Sequence, residues 1–129
     1  MNCGIDIIEI SRIKEAIEKN KDAFLEKVYT QNEIDYCEAH KAAKYQHYAA
    51  RFAAKEAVAK FFGTGFNGKF DFKDIEVKND GTGKPEVTLL NGALDLFKER
   101  GYKEISISIS HSKEYATSMV IGCWQIRKM

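Results

Sequence analysis

Residues 51–60 read Arg51-Phe52-Ala53-Ala54-Lys55-Glu56-Ala57-Val58-Ala59-Lys60, the centre of an alanine-rich run from Ala42 to Phe62. Eight alanines lie between Ala42 and Ala59, no proline interrupts, and Gly63-Thr64-Gly65 follows. Alanine is the strongest helix former and glycine past the last turn is a common stop, so the run predicts one long helix from about Ala42 to Phe62. At roughly 100° per residue, Glu56 falls between Phe52 and Ala53 and beside Ala49, while Lys44, His47, Arg51 and Lys55 gather on a different face. Glu56 also precedes Lys60 by four, the spacing of a solvated helix pair worth about 0.2–0.5 kcal/mol. Its place on the apolar face argues for more than that pair.

Outward from this helix, Gly4 to Ile10 predicts a short buried strand, and Ser11 is a natural N-cap for a first helix. Thr30 and Glu33 form a capping box that opens a second short helix through about Ala39. Asp74 to Lys78 and Glu86 to Leu90 alternate like strands, joined by the glycine-bearing turn Asn79-Asp80-Gly81-Thr82-Gly83-Lys84-Pro85. Asn91 is placed to cap a helix reaching Arg100, with Gly101 just beyond it. Ile105, Ile107 and Ile109 alternate with Ser106, Ser108 and Ser110 before His111, and a strand from Ala116 to about Ile126 returns. The expected class is α+β, an antiparallel sheet packed against the long alanine-rich helix. With 129 residues and no repeat or linker, residues 1–129 are expected to form a single domain.

Asp6 interrupts the apolar run Ile5-Asp6-Ile7-Ile8. A lone acid in an apolar element is unfavourable unless paired, protonated or bound to a cation, and Glu56 poses the same problem. Two such acids point to a shared metal ion.

Cys3, Cys37 and Cys123 are odd in number and lack zinc-ligand spacing, which argues for reduced thiols in a cytoplasmic protein. No basic leader precedes an apolar run, and no segment approaches the ~20 apolar residues of a membrane span. The net charge of +1 makes continuous nucleic acid a poor partner. Residues 41–60 nevertheless carry five basic side chains against Glu56 alone, a face suited to phosphates or an acidic protein, or simply a well-solvated one.

By strand parity His111 shares the side of the three isoleucines where the strand leaves the sheet, half buried yet able to reach a ligand, or else capping a turn through Ser112. Gly63-Thr64-Gly65 either ends the helix or offers N–H groups to an anion. Neither a Walker loop nor a nucleophile elbow is present.

Gly4-Ile5-Asp6-Ile7 with Arg12-Ile13, the run 51–57 with Lys60 and Phe62-Gly63-Thr64-Gly65, then Gly83-Lys84-Pro85 and Ser108-Ile109-Ser110-His111-Ser112-Lys113-Glu114-Tyr115-Ala116 together closely resemble the holo-[acyl-carrier-protein] synthases. These are small, single-domain 4′-phosphopantetheinyl transferases, and the resemblance covers nearly the whole chain. It implies transfer of the phosphopantetheine arm of coenzyme A to a serine hydroxyl of an acyl carrier protein, releasing adenosine 3′,5′-bisphosphate, in support of fatty acid biosynthesis. It implies that Asp6 and Glu56 hold Mg²⁺ against the pyrophosphate and that Lys60 contacts phosphate. Arg51, Gly63-Thr64-Gly65, Lys84-Pro85 and His111 match the positions that hold the nucleotide and its 3′-phosphate. Arg12 matches the surface that docks the acidic helix of the carrier, and the family's homotrimer places its sites between neighbouring subunits.

Two departures accompany the match. The region from Arg12 to Lys27 is balanced, five basic residues against four acidic, and the turn before Lys84-Pro85 carries an extra glycine. The proton acceptor for the serine stays open among Glu56, His111 and a metal-bound water. A non-catalytic coenzyme A binder would bind without turnover, and a protein-interaction module would be indifferent to coenzyme A.

Overall fold

The computed structural model describes residues 1–124. Strand β1 (Asn2–Glu9) runs directly into helix α1 (Ile10–Lys19), followed by α2 (Lys21–Val28) and α3 (Gln31–Glu38). A 3₁₀ turn at Lys41–Ala43 leads to α4 (Lys44–Phe62), the predicted long helix with its first turn tightened. The chain continues through β2 (Ile75–Asn79), β3 (Pro85–Leu89), α5 (Asn91–Glu99), β4 (Glu104–His111) and β5 (Tyr115–Cys123). Strands β1, β5 and β4 form one antiparallel sheet in that order, and β2 and β3 form a separate hairpin. The expectation that β5 reaches Ile126 extends beyond the described residues.

Helix α4 is buried round most of its circumference and joins two apolar clusters. Its C-terminal half packs with β2, α5 and the sheet; its N-terminal half packs with α1, α2 and α3. Alanine lets it lie directly on the sheet, and Gly4 completes that approach: a Cβ there would overlap the Ala57 carbonyl oxygen and stand 2.6 Å from the Phe61 nitrogen. Asn2 Nδ2 donates to the Phe61 carbonyl at 2.8 Å, Arg100 Nη1 donates to that of Phe62, and Gly63 closes the helix at φ 77°. Strand, helix end and α5 are thus tied together through otherwise orphaned carbonyls.

Several sequence expectations need correction. Strand β1 is buried on one face only: Gly4, Asp6 and Ile8 face α4, whereas Ile5 and Ile7 are 60% and 64% exposed. Its partner β5 sets Met119 beside Ile5, so the outer sheet face carries an apolar patch. Helix α1 starts at Ile10 without a Ser11 cap, because the Ile10 N–H is taken by the Glu114 carbonyl at 2.8 Å. Asn91 does not cap α5. It is the first helical residue, at φ 49°, and its Nδ2 donates to Asp74 Oδ1 at 3.0 Å. The far end of α5 agrees with expectation: the Gly101 and Tyr102 N–H groups bond to Lys98 and Phe97 carbonyls, and the Tyr102 and Phe97 rings stack 5.5 Å apart.

The basic stripe on α4 is not a solvated face. Lys55 is fully buried and pairs with Glu33 at 2.8 Å. Its Nζ also donates to the carbonyls of Phe72 (2.9 Å) and Ile75, and burial holds its pKa below the ordinary lysine value. Glu33 Oε1 accepts from Thr30 N and Glu33 Oε2 from Val77 N, both at 2.9 Å, so the capping carboxylate also fastens α3 to β2. Arg51 is likewise buried, stacked on Tyr36.

Candidate active site

Asp6 is presented by the inner face of β1, opposite Ser118 of β5, and its carbonyl accepts a hydrogen bond from Thr117 Oγ1 at 2.8 Å. The strand therefore aims one carboxylate at α4. Glu56 and Lys60 stand one turn apart on that helix, and Lys60 Nζ lies 3.0 Å from Asp6 Oδ1. The Asp6 side chain is 14% exposed against 56% for Lys60, so a sheltered acid meets a cation that reaches it from solvent.

Glu56 is half-buried, and its carboxyl is held above the usual range by burial first and by the Asp6 charge second, with Lys60 opposing. The two acids repel, and one lysine offsets them only in part. Asp6 and Glu56 open onto a cleft of about 540 Å³ that Arg12 also lines, with Ile13, Phe24 and Phe52 as apolar wall. Phe24 and Phe52 stack at 6.3 Å. A charged floor with an apolar wall and a guanidinium at its margin suits an anionic group carrying an extended tail.

The other expected site residues stand elsewhere. Arg51 projects from α4 about 140° round from Glu56, where its Nη2 donates to Asn79 Oδ1 at 2.7 Å. His111 pairs with Ala116 at the strand end and is exposed rather than half-buried, with its ring 5.9 Å from His47. Gly63 and Gly65 have φ of 77° and 63°, and the Gly63 N–H is already taken by the carbonyls of Ala59 and Lys60. Thr64 Oγ1 donates to the Gly65 carbonyl at 3.0 Å. Lys84 and Pro85 line a separate hollow of about 240 Å³ beside Ile105, Ser106 and Ile107. The extra glycine sits in a closed turn, in which Asp80 Oδ1 accepts from Thr82 N and Lys84 N. One chain thus unites Asp6, Glu56, Lys60 and Arg12, and sets Arg51, His111 and Lys84 apart from them.

Sequence reasoning passed over Phe24 and Phe52 as cleft walls and His47 as the neighbour of His111. His47 stood in plain view four residues before Arg51, on the same face of α4.

Among the described residues no group of three or more His, Cys, Asp or Glu side chains converges on a metal position. The donor set is two carboxylates, which fits Mg²⁺: that ion takes one or two carboxylates and completes its octahedron with waters and substrate phosphates.

A family model described as the 4′-phosphopantetheinyl transferase superfamily matches residues 2–120. The holo-[acyl-carrier-protein] synthase of Ruminiclostridium cellulolyticum is 51% identical over 121 residues, 94% of this chain and 90% of that protein. The crystal structure of the Neisseria meningitidis synthase superposes with a TM-score of 0.85 at 30% identity, covering 94% of this chain and 96% of that one. The Helicobacter pylori synthase, solved in complex with coenzyme A, gives 0.81 at 31% identity, covering 94% and 99%. Sequence and fold lead to one assignment: the chain belongs to the 4′-phosphopantetheinyl transferase superfamily, among its holo-[acyl-carrier-protein] synthases.

Proposed function

We propose that this chain transfers the 4′-phosphopantetheine arm of coenzyme A to a serine hydroxyl of an apo acyl carrier protein. The observation that carries the proposal is the meeting of Asp6 and Glu56 at one cleft, with Lys60 paired to Asp6, in a member of this superfamily. Asp6 and Glu56 would hold Mg²⁺, which when bound neutralises charge on the pyrophosphate. Lys60 supplies a mobile positive charge for a phosphate oxygen. The serine oxygen forms a bond to the β-phosphorus, the bond to the bridging oxygen breaks, and adenosine 3′,5′-bisphosphate leaves. Within one chain Glu56 stands at this cleft and His111 does not, so His111 would reach it only from a neighbouring copy, and the proton acceptor is Glu56, that His111 or a metal-bound water. The apolar wall of Phe24 and Phe52 would shelter the pantetheine arm, and Arg12 at the margin would meet an acidic helix of the carrier.

The nucleotide end of coenzyme A is assigned to Arg51, the 63–65 turn, Lys84-Pro85 and His111. Arg51 and Glu56 point away from each other on one helix, which supports completion of each site by residues of a neighbouring copy. The exposed apolar face around Ile5, Ile7 and Met119 supports the same reading, and the assembly is proposed as a homotrimer. Residues 1–129 are proposed as one transferase domain acting in the cytoplasm in fatty acid biosynthesis. No helix among the described residues is long and apolar enough to cross a membrane.

Intact-protein mass spectrometry of an apo carrier incubated with this chain, coenzyme A and Mg²⁺ tests the proposal, with EDTA and Glu56→Ala controls. One phosphopantetheine added to the carrier serine, lost in both controls, is expected. A folded protein that binds coenzyme A yet modifies none of several carriers would be a binder and no transferase.

A further inference from the structure

His47 on α4 is surrounded by rings. Its centroid lies 3.8 Å from that of His40, 5.5 Å from Tyr36 and 5.9 Å from His111. One turn along the helix, the Arg51 guanidinium stacks 4.0 Å over Tyr36. His40 Nδ1–H donates to the Tyr36 carbonyl at 2.7 Å, which leaves Nε2 as the free nitrogen of the neutral ring. The groups facing His47 are therefore Tyr36 from α3, His40 from the turn after it, Arg51 from α4 and His111 from the end of β4.

None of these groups is acidic. The nearby α3 carboxylate, Glu38, accepts from Tyr48 Oη at 2.7 Å and pairs with Lys44 at 3.4 Å. Arg51 is 3% exposed, its Nε has no hydrogen-bond partner among the described residues, and the acceptor that its Nη2 reaches, Asn79, is neutral. No ion pair joins Arg51 to a described carboxylate. A buried guanidinium among three imidazoles, without a counter-charge, is poised for an anion. Burial first, then the charges of His40, Arg51 and His111, push the His47 imidazole down to about 4. A doubly charged phosphate would oppose those positive charges and favour the imidazolium.

We propose that His47 is a proton-linked member of the nucleotide-phosphate site, neutral in the free protein and protonated from solvent when a phosphate monoester dianion docks against His47 and His111, with the buried Arg51 charge behind them. The inference rests on the reading that Arg51 and His111 receive the cofactor's 3′-phosphate. His40, stacked behind His47, holds that ring in place and adds no counter-charge. The site would then distinguish a dianionic monoester from a free ribose hydroxyl by an imidazolium–phosphate hydrogen bond as well as by Arg51. The ligand's own second ionisation, near pH 6, opposes the gain in acid, so the effect emerges against a non-titrating variant.

Calorimetry of the full-length protein with coenzyme A and with 3′-dephospho-coenzyme A, in buffers of different ionisation enthalpy, reads the proton directly. At about pH 6.5 coenzyme A is expected to bind wild type with roughly half a proton more uptake per site than it shows with a His47 variant, the load of an imidazole returned to its ordinary pKa, whatever the ligand phosphate and His111 exchange in both proteins. Dephospho-coenzyme A should take up none. In His47→Phe, which keeps a ring in the stack, and in His47→Asn that half proton should be missing. The ratio of wild-type to variant affinity should rise about tenfold from about pH 7.5 to about pH 5.5. Equal uptake with both ligands, or the same uptake in wild type and both variants, would overturn the proton link. Equal wild-type affinity for the two ligands would instead sink the phosphate-site reading beneath it.

Discussion

Lys60 reaches across from α4 to place its Nζ 3.0 Å from Asp6 Oδ1 on β1, joining the two elements that Gly4 allows to touch. Glu56, one turn back, is left with less compensation, and that imbalance suits the acid pair to a further cation, as the proposed Mg²⁺ site requires.

The same imbalance sets a pH dependence. The folded-state pKa of Glu56 is raised, so the native state holds its proton more tightly than the unfolded chain does. Stability is therefore lost as pH rises from the unfolded-state value through the raised folded one. Wild type and Glu56→Gln should have similar Tm in acid, with the variant gaining as pH rises to neutral. Added Mg²⁺ should raise the wild-type Tm and leave that of Glu56→Gln nearly unchanged. A metal-independent Tm in both proteins would refute the assignment of Glu56 as a ligand.

Turnover should separate from stability at Lys60. Its side chain is mostly solvent-exposed and its ion pair lies at the surface, so Lys60→Ala should shift stability by no more than about 1 kcal/mol. If it stabilises charge on the transferring group, kcat should fall about 100-fold, as for loss of one preorganised donor. Denaturant melts beside carrier-modification rates distinguish this from a folding defect, and unchanged kcat would remove the electrostatic role.

Lys55 behaves oppositely. It shares the α4 stripe with Arg51, yet Lys55→Met would strand Glu33 in the core without its cation, at about 3–5 kcal/mol. Glu33→Gln should cost a similar amount, and the pair changed together should be less harmful than the sum of the two. Urea unfolding of the four proteins gives the coupling energy, and simple additivity would mean that the pair does not act as a unit.

These contrasts show what could be read before any coordinates. The length and stop of α4, the Thr30–Glu33 box and the Schellman end of α5 were legible because alanine content, capping spacing and glycine act locally. Asp6 and Glu56 were legible as polar residues on faces that pack. Lys55 was not, because its partner Glu33 lies far away in sequence and had already been explained by a cap. The fate of β1 was hidden for a related reason: a run of isoleucines looks buried on both sides, and only pairing with β5 shows that one side is left uncovered by the described residues. Asn91 misled because a side chain suited to capping also tolerates positive φ, and here the backbone used the second property.

That unpartnered side carries the last prediction. Ile5, Ile7 and Met119 lie on neighbouring antiparallel strands, and the β4 residue beside Met119, Ser108, is small enough to let another sheet approach. A contiguous apolar patch of this kind is the usual mark of a surface that is covered in the assembled protein. Ile5→Lys introduces a charge at its centre without touching the inner face, where Asp6 and Gly4 meet α4. The variant should therefore keep its helical and strand content by circular dichroism while sedimenting as a monomer. If the sites are shared between copies, it should also lose turnover in parallel with dissociation, although every residue of the Asp6 cluster is intact. A monomer with full turnover would show that one chain suffices, and a wild-type protein that sediments as a monomer would leave the patch to another partner.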